Sequence, residues 1–169
     1  ATVTLSVNPP NAGFVSGGGS NLIGSPISVS ATPNTSALPY NFVNWTEGGV
    51  TQSTNNPYNF TLNGNRQLVA NFTLPSYTVA ASNNPPAAGS FVGTGTFVYG
   101  TTNVLIATTN FGYRFANWTD NGSVVGTNPT LSTVVYSNHF IVANYEEANL
   151  FHFVTTATQP PGLSVATGA

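Results

Sequence analysis

The sequence predicts an all-β protein made of two tandem small β modules, β-grasp-like or sandwich-like, followed by a strand-like C-terminal tail. A tryptophan-centred stretch occurs twice, at 40–49 and 113–122. Alternating apolar and hydroxyl residues recur between turns rich in Pro and Gly, which is the pattern of short strands. No segment shows a convincing 3.6-residue apolar period, so we expect no helix of consequence.

The composition supports this fold class and excludes several kinds of partner. Charged residues make up only 4% of the chain, against about 25% in an ordinary soluble domain. Lysine and cysteine are absent, which excludes disulfides and thiolate sites. Without a basic patch we expect no nucleic-acid partner, and without an apolar run of about 18 residues we expect no membrane insertion. With so few ionisable groups, we expect stability to change little with pH.

The repeat sets the module boundaries. We place the first module at residues 1–74, the second at 75–147 and the tail at 148–169. Both modules open with a strand that stops at a Pro-Pro-x-Ala-Gly sequence, which begins at Pro9 and at Pro85. Proline cannot donate to a ladder and glycine accepts positive φ, so a strand ends there in both copies.

Three further strands precede the end of each module. We expect a short strand at 14–16 and at 91–92, and a longer one at 27–32 and at 103–108. The tryptophan strand and a Gly-rich turn follow.

The last part of each module is predicted to be a β-hairpin. Strands at 57–62 and 66–72 flank Asn63-Gly64-Asn65, and strands at 129–135 and 139–145 form the second copy. Asn-Gly between alternating strands is the strongest short-range hairpin signal.

The tail contains one more segment with strand composition, residues 150–154. A lone strand is not stable by itself. It must therefore pair within its own chain, begin a third domain or enter another subunit.

The ordered motifs resemble a known family. Val-Asn-Pro-Pro-x-Ala-Gly, a Gly-rich turn, Ser-Ala-Thr-Pro, Phe-x-Asn-Trp and Val-Ala-Asn-Phe are similar to the divergent B-repeat modules of internalin-type surface proteins, over about residues 1–146. The second copy departs from this pattern at Thr108-Thr109 and Tyr145. The resemblance implies small β-rich modules of bacterial and archaeal cell-surface proteins, which act as stalks, spacers and adhesive units and bring no catalytic residues. The composition is also similar to pilus-like subunits of archaeal surface filaments.

The aromatic residues of the repeat are candidates for the core. Trp45 and Trp118 could stack on sugars if exposed, but their recurrence at one repeat position favours core packing. The predicted structural core comprises Trp45, Trp118, Phe42, Phe115, Phe72 and Tyr145.

Catalytic, metal and cofactor sites are hard to assemble from this sequence. Glu47 and Asp120 recur after the tryptophans, where a turn or cap role is favoured over cation binding, since one carboxylate per module is too little for an oxygen cage. His139 and His152 have no third ligand at metal-binding spacing. We expect no enzyme activity, no metal and no cofactor.

Several asparagines lie in Asn-x-Ser/Thr acceptor sequences. Asn44 and Asn117 recur beside the tryptophans, where a structural amide hydrogen bond is a good explanation. The N-glycosylation candidates are Asn34, Asn121, Asn59 and Asn71.

Together these observations predict a non-enzymatic extracellular structural protein of the cell surface. The main hypothesis is a filament subunit that assembles into a homopolymer by strand complementation, with residues 2–7 as the alternative donor strand. A stalk of a larger adhesin is a second interpretation. A carbohydrate-binding module that uses exposed aromatics such as Tyr99 or Tyr136 is a third, and glycans would then be partners. The predicted subunit-contact strand comprises Leu150, Phe151, Phe153 and Val154.

Overall fold

The structure is a computed structural model that describes residues 1–148, and these residues form β-strands with one short 3-10 turn. The first half contains β1 (Thr2–Asn8), β2 (Gly13–Ser16), β3 (Gly19–Ser20), β4 (Pro26–Pro33), β5 (Asn41–Glu47), β6 (Val50–Ser53), β7 (Tyr58–Thr61) and β8 (Arg66–Thr73). The second half contains β9 (Ser76–Asn84), the 3-10 turn (Pro86–Ala88), β10 (Gly89–Val92), β11 (Gly95–Val98), β12 (Thr102–Thr109), β13 (Tyr113–Asp120), β14 (Ser123–Gly126), β15 (Thr130–Val134) and β16 (His139–Glu147).

The two halves repeat one topology of two sheets each. In the first module a five-stranded sheet has the order β3-β1-β8-β5-β6, and a three-stranded sheet has the order β2-β4-β7. The second module repeats this as β11-β9-β16-β13-β14 and β10-β12-β15. The predicted fold class of two tandem all-β modules is confirmed. The predicted tail strand lies outside the described residues.

The predicted C-terminal hairpins are wrong. Strand β7 pairs antiparallel with β4, whereas β8 joins the other sheet, parallel to β1 and antiparallel to β5. Neither Asn63 nor Gly64 has the positive φ that a type I′ hairpin turn requires. The connection instead crosses between sheets, and the Asn65 side-chain oxygen accepts a hydrogen bond from the Thr2 N–H at 2.8 Å. Asn138 and Thr78 repeat that contact at the same distance, and β15 and β16 are separated in the same way.

The tight hairpins lie earlier in the chain than predicted, directly after the tryptophan strands. Gly48 and Gly49 connect β5 to β6 with φ of 56° and 81°, and Asn121 and Gly122 connect β13 to β14 with φ of 49° and 82°. Two consecutive residues at positive φ match the twist of the flanking strands. The predicted Gly-rich turn after each tryptophan therefore closes a β-hairpin.

Each module has its own apolar core, to which both of its sheets contribute. The largest fully buried side chains of the first core are Trp45, Leu62, Leu68 and Val29. Those of the second are Trp118, Leu105, Val79 and Val135.

Candidate functional site

The six predicted core residues form one aromatic group in each module. Trp45 and Trp118 are both 0% exposed, and Phe72 and Tyr145 are buried beside them. In the first module the Phe42 ring lies 5.8 Å from both the Trp45 and the Phe72 ring centroids. The second module has the equivalent arrangement, with Phe115 at 5.5 Å from Trp118 and 5.7 Å from Tyr145. An indole without exposed surface cannot stack on a sugar, so these aromatics organise the cores.

Asparagine side chains connect three strands of each large sheet. The Asn71 Nδ2 donates to Asn44 Oδ1 at 2.8 Å and to Thr46 Oγ1 at 3.0 Å, while its Oδ1 accepts from Asn8 at 3.1 Å. The second module repeats this network with Asn144, Asn117, Thr119 and Asn84. These amides satisfy one another where the β5–β8 and β13–β16 registers shift.

The N-glycosylation candidates differ in how free their amide nitrogens are. The Asn71 nitrogen is held in the network above, and the Asn34 nitrogen donates to the Asn11 carbonyl at 3.1 Å. Asn59 is exposed on β7, and Asn121 is exposed in the β13–β14 turn, where its nitrogen donates to Asp120 Oδ1 at 3.3 Å. Modification at any of the four remains a prediction, and this geometry favours Asn59.

The repeated carboxylate of the first module takes part in a cross-strand ion pair and does not cap a turn. Glu47 contacts Arg66 Nε at 2.6 Å and accepts the Gln67 N–H at 2.7 Å. Arg66 also donates to Gln52 at 3.2 Å and lies 4.9 Å above the Phe60 ring. Burial opposes the charge of Arg66, but hydrogen bonds to Glu47 and Tyr58 more than offset it and raise its pKa. We call Arg66, Glu47, Gln52 and Phe60 the Arg66 cluster.

The second module has smaller residues at the same place, and they leave a cavity. Asp120 pairs with His139 Nδ1 at 2.6 Å, and Thr133 stands where the first module has Phe60, as the matching strand registers show. A cavity of about 110 Å³ remains between β14 of one sheet and β15 of the other. We call it the module-2 cleft. Its lining residues are Asp120, Val125, Leu131, Ser132, Thr133, His139 and Ile141.

A tyrosine cluster lies elsewhere on the second module. The Tyr99 ring centroid is 4.9 Å from that of Tyr136 and 6.5 Å from that of Tyr77. Tyr136 is 56% exposed, and the Tyr99 N–H donates to the Pro75 carbonyl between the modules. Tyr99 and Tyr136 are thus adjacent, which their separation in the sequence did not indicate.

The outer strands of the four sheets share an unusual composition. Within residues 1–148, all Asp, Glu, Arg and His side chains lie on the inner strands β5, β8, β13 and β16. The eight outer strands of this described region contain neither a charged residue nor proline. Backbone groups at these edges therefore lack two of the usual protective devices, charge and proline, although the strands are short.

The described residues offer neither a metal-binding cluster nor a membrane-spanning helix. Residues 1–148 contain no group of three or more His, Cys, Asp or Glu side chains that could hold a metal ion. In the same range, no helix has the length and apolar character needed to cross a membrane.

Comparison with known proteins identifies the repeat. A family model described as the divergent InlB B-repeat domain matches the chain twice, at residues 3–76 and 77–149. No curated protein and no solved structure matches the chain. The chain belongs to the divergent InlB B-repeat family, as its motifs predicted. B-repeat domains are structural modules that occur in cell-surface proteins, and the match indicates no catalytic family.

Proposed function

We propose, from membership of this family, that the chain is a structural subunit of a cell-surface filament that assembles by strand complementation between subunits. The observation that carries the proposal is the absence of charge and proline from the outer strands described above. An unprotected edge strand presents unpaired N–H and C=O groups to any strand that can add to it. Soluble monomers avoid this exposure, whereas a polymer can use it.

The exposed apolar residues of the outer strands support the same proposal. Val50 on β6 is 65% exposed, and Val124 and Val125 on β14 are 61% and 45% exposed. An added strand would gain backbone hydrogen bonds along the edge and apolar contacts with these side chains.

The donor strand in this proposal is the segment 150–154, which lies outside the described residues. Its side chains Phe151 and Phe153 are two residues apart, so in a strand they would face the same side. The alternative donor, the N-terminal strand, is β1, which already lies between β3 and β8 in the sheet of its own module. Donating β1 would break that sheet, which favours the C-terminal segment.

Truncation tests this assignment. Deletion of residues 148–169 should give folded monomers in size-exclusion chromatography with light scattering, and no fibres in negative-stain electron microscopy. Deletion of residues 160–169 alone is the matched control, because it keeps the donor segment and should still polymerise. Polymers of the longer deletion would refute the proposed route.

A second function, carbohydrate binding, is favoured by the tyrosine cluster. Adjacent, partly exposed aromatic rings offer the flat apolar faces on which sugars stack. A glycan array should then show binding that Tyr136→Ala removes and Phe111→Ala, at a separate exposed aromatic, retains. The third interpretation, a stalk of a larger adhesin, is tested by the parent reading frame, which would continue in further repeats.

A further inference from the structure

We infer that the module-2 cleft is the acceptor site for the Phe151 or Phe153 ring of a second copy of this chain. This inference rests on the proposed function and adds to it the place where the donor strand binds. The ring would fill the space between β14 and β15. In the first module the equivalent space, between β6 and β7, is filled by an aromatic side chain of that module itself.

The first module shows what closes this space. The Phe60 ring lies close to both Arg66 and Tyr58, with 4.9 Å from its centroid to the Arg66 guanidinium carbon and 4.9 Å to the Tyr58 ring centroid. Glu47 and Gln52 hold the guanidinium in place from β5 and β6. The two sheets of the first module are therefore joined here by its own side chains.

The second module has the same strand order and matching register here and lacks those side chains. Thr133 pairs with Asn103 on β12 as Phe60 pairs with Ile27 on β4, so threonine occupies the position of the ring. His139 reaches Asp120 as Arg66 reaches Glu47, but it is a shorter side chain. The difference leaves the module-2 cleft.

The size and chemistry of the cleft suit one aromatic ring. Its volume of about 110 Å³ is of the same order as the apolar cavity of about 150 Å³ that binds benzene in another protein, although part of its lining is polar. Val125, Leu131 and Ile141 supply apolar walls. The His139 imidazole would lie against the ring, as the Arg66 guanidinium does against Phe60.

The rim of the cleft can hold the strand that carries the ring. β14 and β15 are outer strands of their two sheets, and neither contains a charged residue or proline. Val124 and Val125 are exposed on β14. An extended segment could therefore add to this edge through its backbone while one phenylalanine enters the cleft.

Chain length favours a second copy over the same chain as the donor. The cleft is lined by residues at the start of β16, and Ile141 lies about 20 Å from Glu147 at the strand's end, at about 3.3 Å per residue. A fully extended chain places Phe151 at most about 14 Å beyond Glu147. Phe153 reaches at most about 22 Å beyond Glu147, which barely spans the distance back to Ile141. No length then remains for residues 150–154 to lie along the cleft of the same chain.

Complementary variants of the full-length chain test the inference. The acceptor variant carries Thr133→Phe and His139→Arg, which copy the first module and fill the cleft. The donor variant carries Phe151→Ser and Phe153→Ser. Each alone should lose polymer at least tenfold by light scattering, with near-UV circular dichroism showing a native fold. Mixed one to one, they should form heterodimers, because one supplies the cleft and the other the strand.

Controls separate the site from the fold and from the proposed function. Should the acceptor variant misfold, Val125→Lys on the exposed rim replaces it and should also block assembly. Phe111→Lys, at an exposed position between β12 and β13, and His152→Ala in the donor segment are matched changes that should leave assembly unchanged. Polymers of a folded acceptor variant, or no heterodimer in the mixture, would overturn the acceptor assignment. Polymers of the donor variant would instead contradict strand complementation by this segment.

Discussion

The two modules share a strand order and differ in the side chains that fill the space between their sheets. Both bury a tryptophan at 0% exposure, repeat the same strand order and connect three strands by asparagine amides. The first module closes the space between its sheets with the Arg66 cluster, whereas the second leaves the module-2 cleft. The comparison shows that the repeat preserves the residues that set strand pairing, while the side chains between the two sheets differ and leave one module with a cleft.

The largest expected effect comes from removing a tryptophan. Trp118→Ala should cost about 3–5 kcal/mol of the second module's free energy of unfolding, as large aromatic deletions in cores do. The loss should exceed that of Trp45→Ala, because Trp118 Nε1 donates to the Asn128 carbonyl at 3.0 Å while Trp45 Nε1 has no partner among residues 1–148. Urea titration followed by the remaining tryptophan's fluorescence should show the other module still folded. A single loss of both modules would contradict separate cores.

The second prediction concerns the two equivalent ion pairs, Glu47–Arg66 and Asp120–His139. Arg66→Ala should destabilise the first module by about 1–3 kcal/mol, between the values for exposed and fully buried pairs, because it removes contacts to Glu47, Gln52 and Phe60 at once. His139→Ala should cost the second module less, because the shorter imidazole pairs with Asp120 and Thr133 stands in the place of the Phe60 ring. Urea midpoints of the two modules measure both effects. Equal losses of stability in the two variants would mean that the Gln52 and Phe60 contacts of the Arg66 cluster add no stability beyond that of one ion pair.

The third prediction uses a pair of equivalent buried residues. Asn103 is 4% exposed and its Nδ2 has no partner among residues 1–148, whereas the first module has buried Ile27 at this position. Asn103→Ile should therefore stabilise the second module by about 1–3 kcal/mol, since it removes an unsatisfied buried amide. Differential scanning calorimetry should show a higher melting temperature for that module. Ile27→Asn, the reverse change, should lower the melting temperature of the first module. A lower melting temperature in both variants would mean that Asn103 makes a favourable contact.

The fold class could be predicted from the sequence because the repeat aligned residues that occupy the same structural position in both modules. Trp45 and Trp118 could be recognised as equivalent from their shared repeat position alone. The connection between β7 and β8 could not be predicted correctly, because Asn63-Gly64 carries the same local signal as Asn121-Gly122, and only the long-range parallel pairing of β1 with β8 distinguishes the two.

The candidate site was predictable only in part. The ion pairs had a signal that was missed: each acid and its partner are 19 residues apart in both modules, in a chain with very few charges. No sequence signal predicted the cleft, because the cleft depends on whether the Thr133 side chain of β15 faces the other sheet. Tyr99 and Tyr136 were singled out separately, and their adjacency required the fold.

The smallest expected effect is a response to alkali that is larger in the second module than in the first. Burial raises the pKa of the Tyr145 phenol, and the first module has Phe72 at this position. The unfolded chain therefore releases this proton at a lower pH than the folded one. The stabilisation is complete below about pH 10, the ordinary pKa of tyrosine, and is lost as the pH rises through the raised pKa. Urea midpoints between pH 7 and 11 should fall for the second module more than for the first. Tyr145→Phe should remove that difference, although it also loses the hydrogen bond to Asn83 at 3.2 Å and so lowers stability at every pH. If the variant keeps the full alkaline response, another group of the second module must be its source, since the phenylalanine ring cannot ionise.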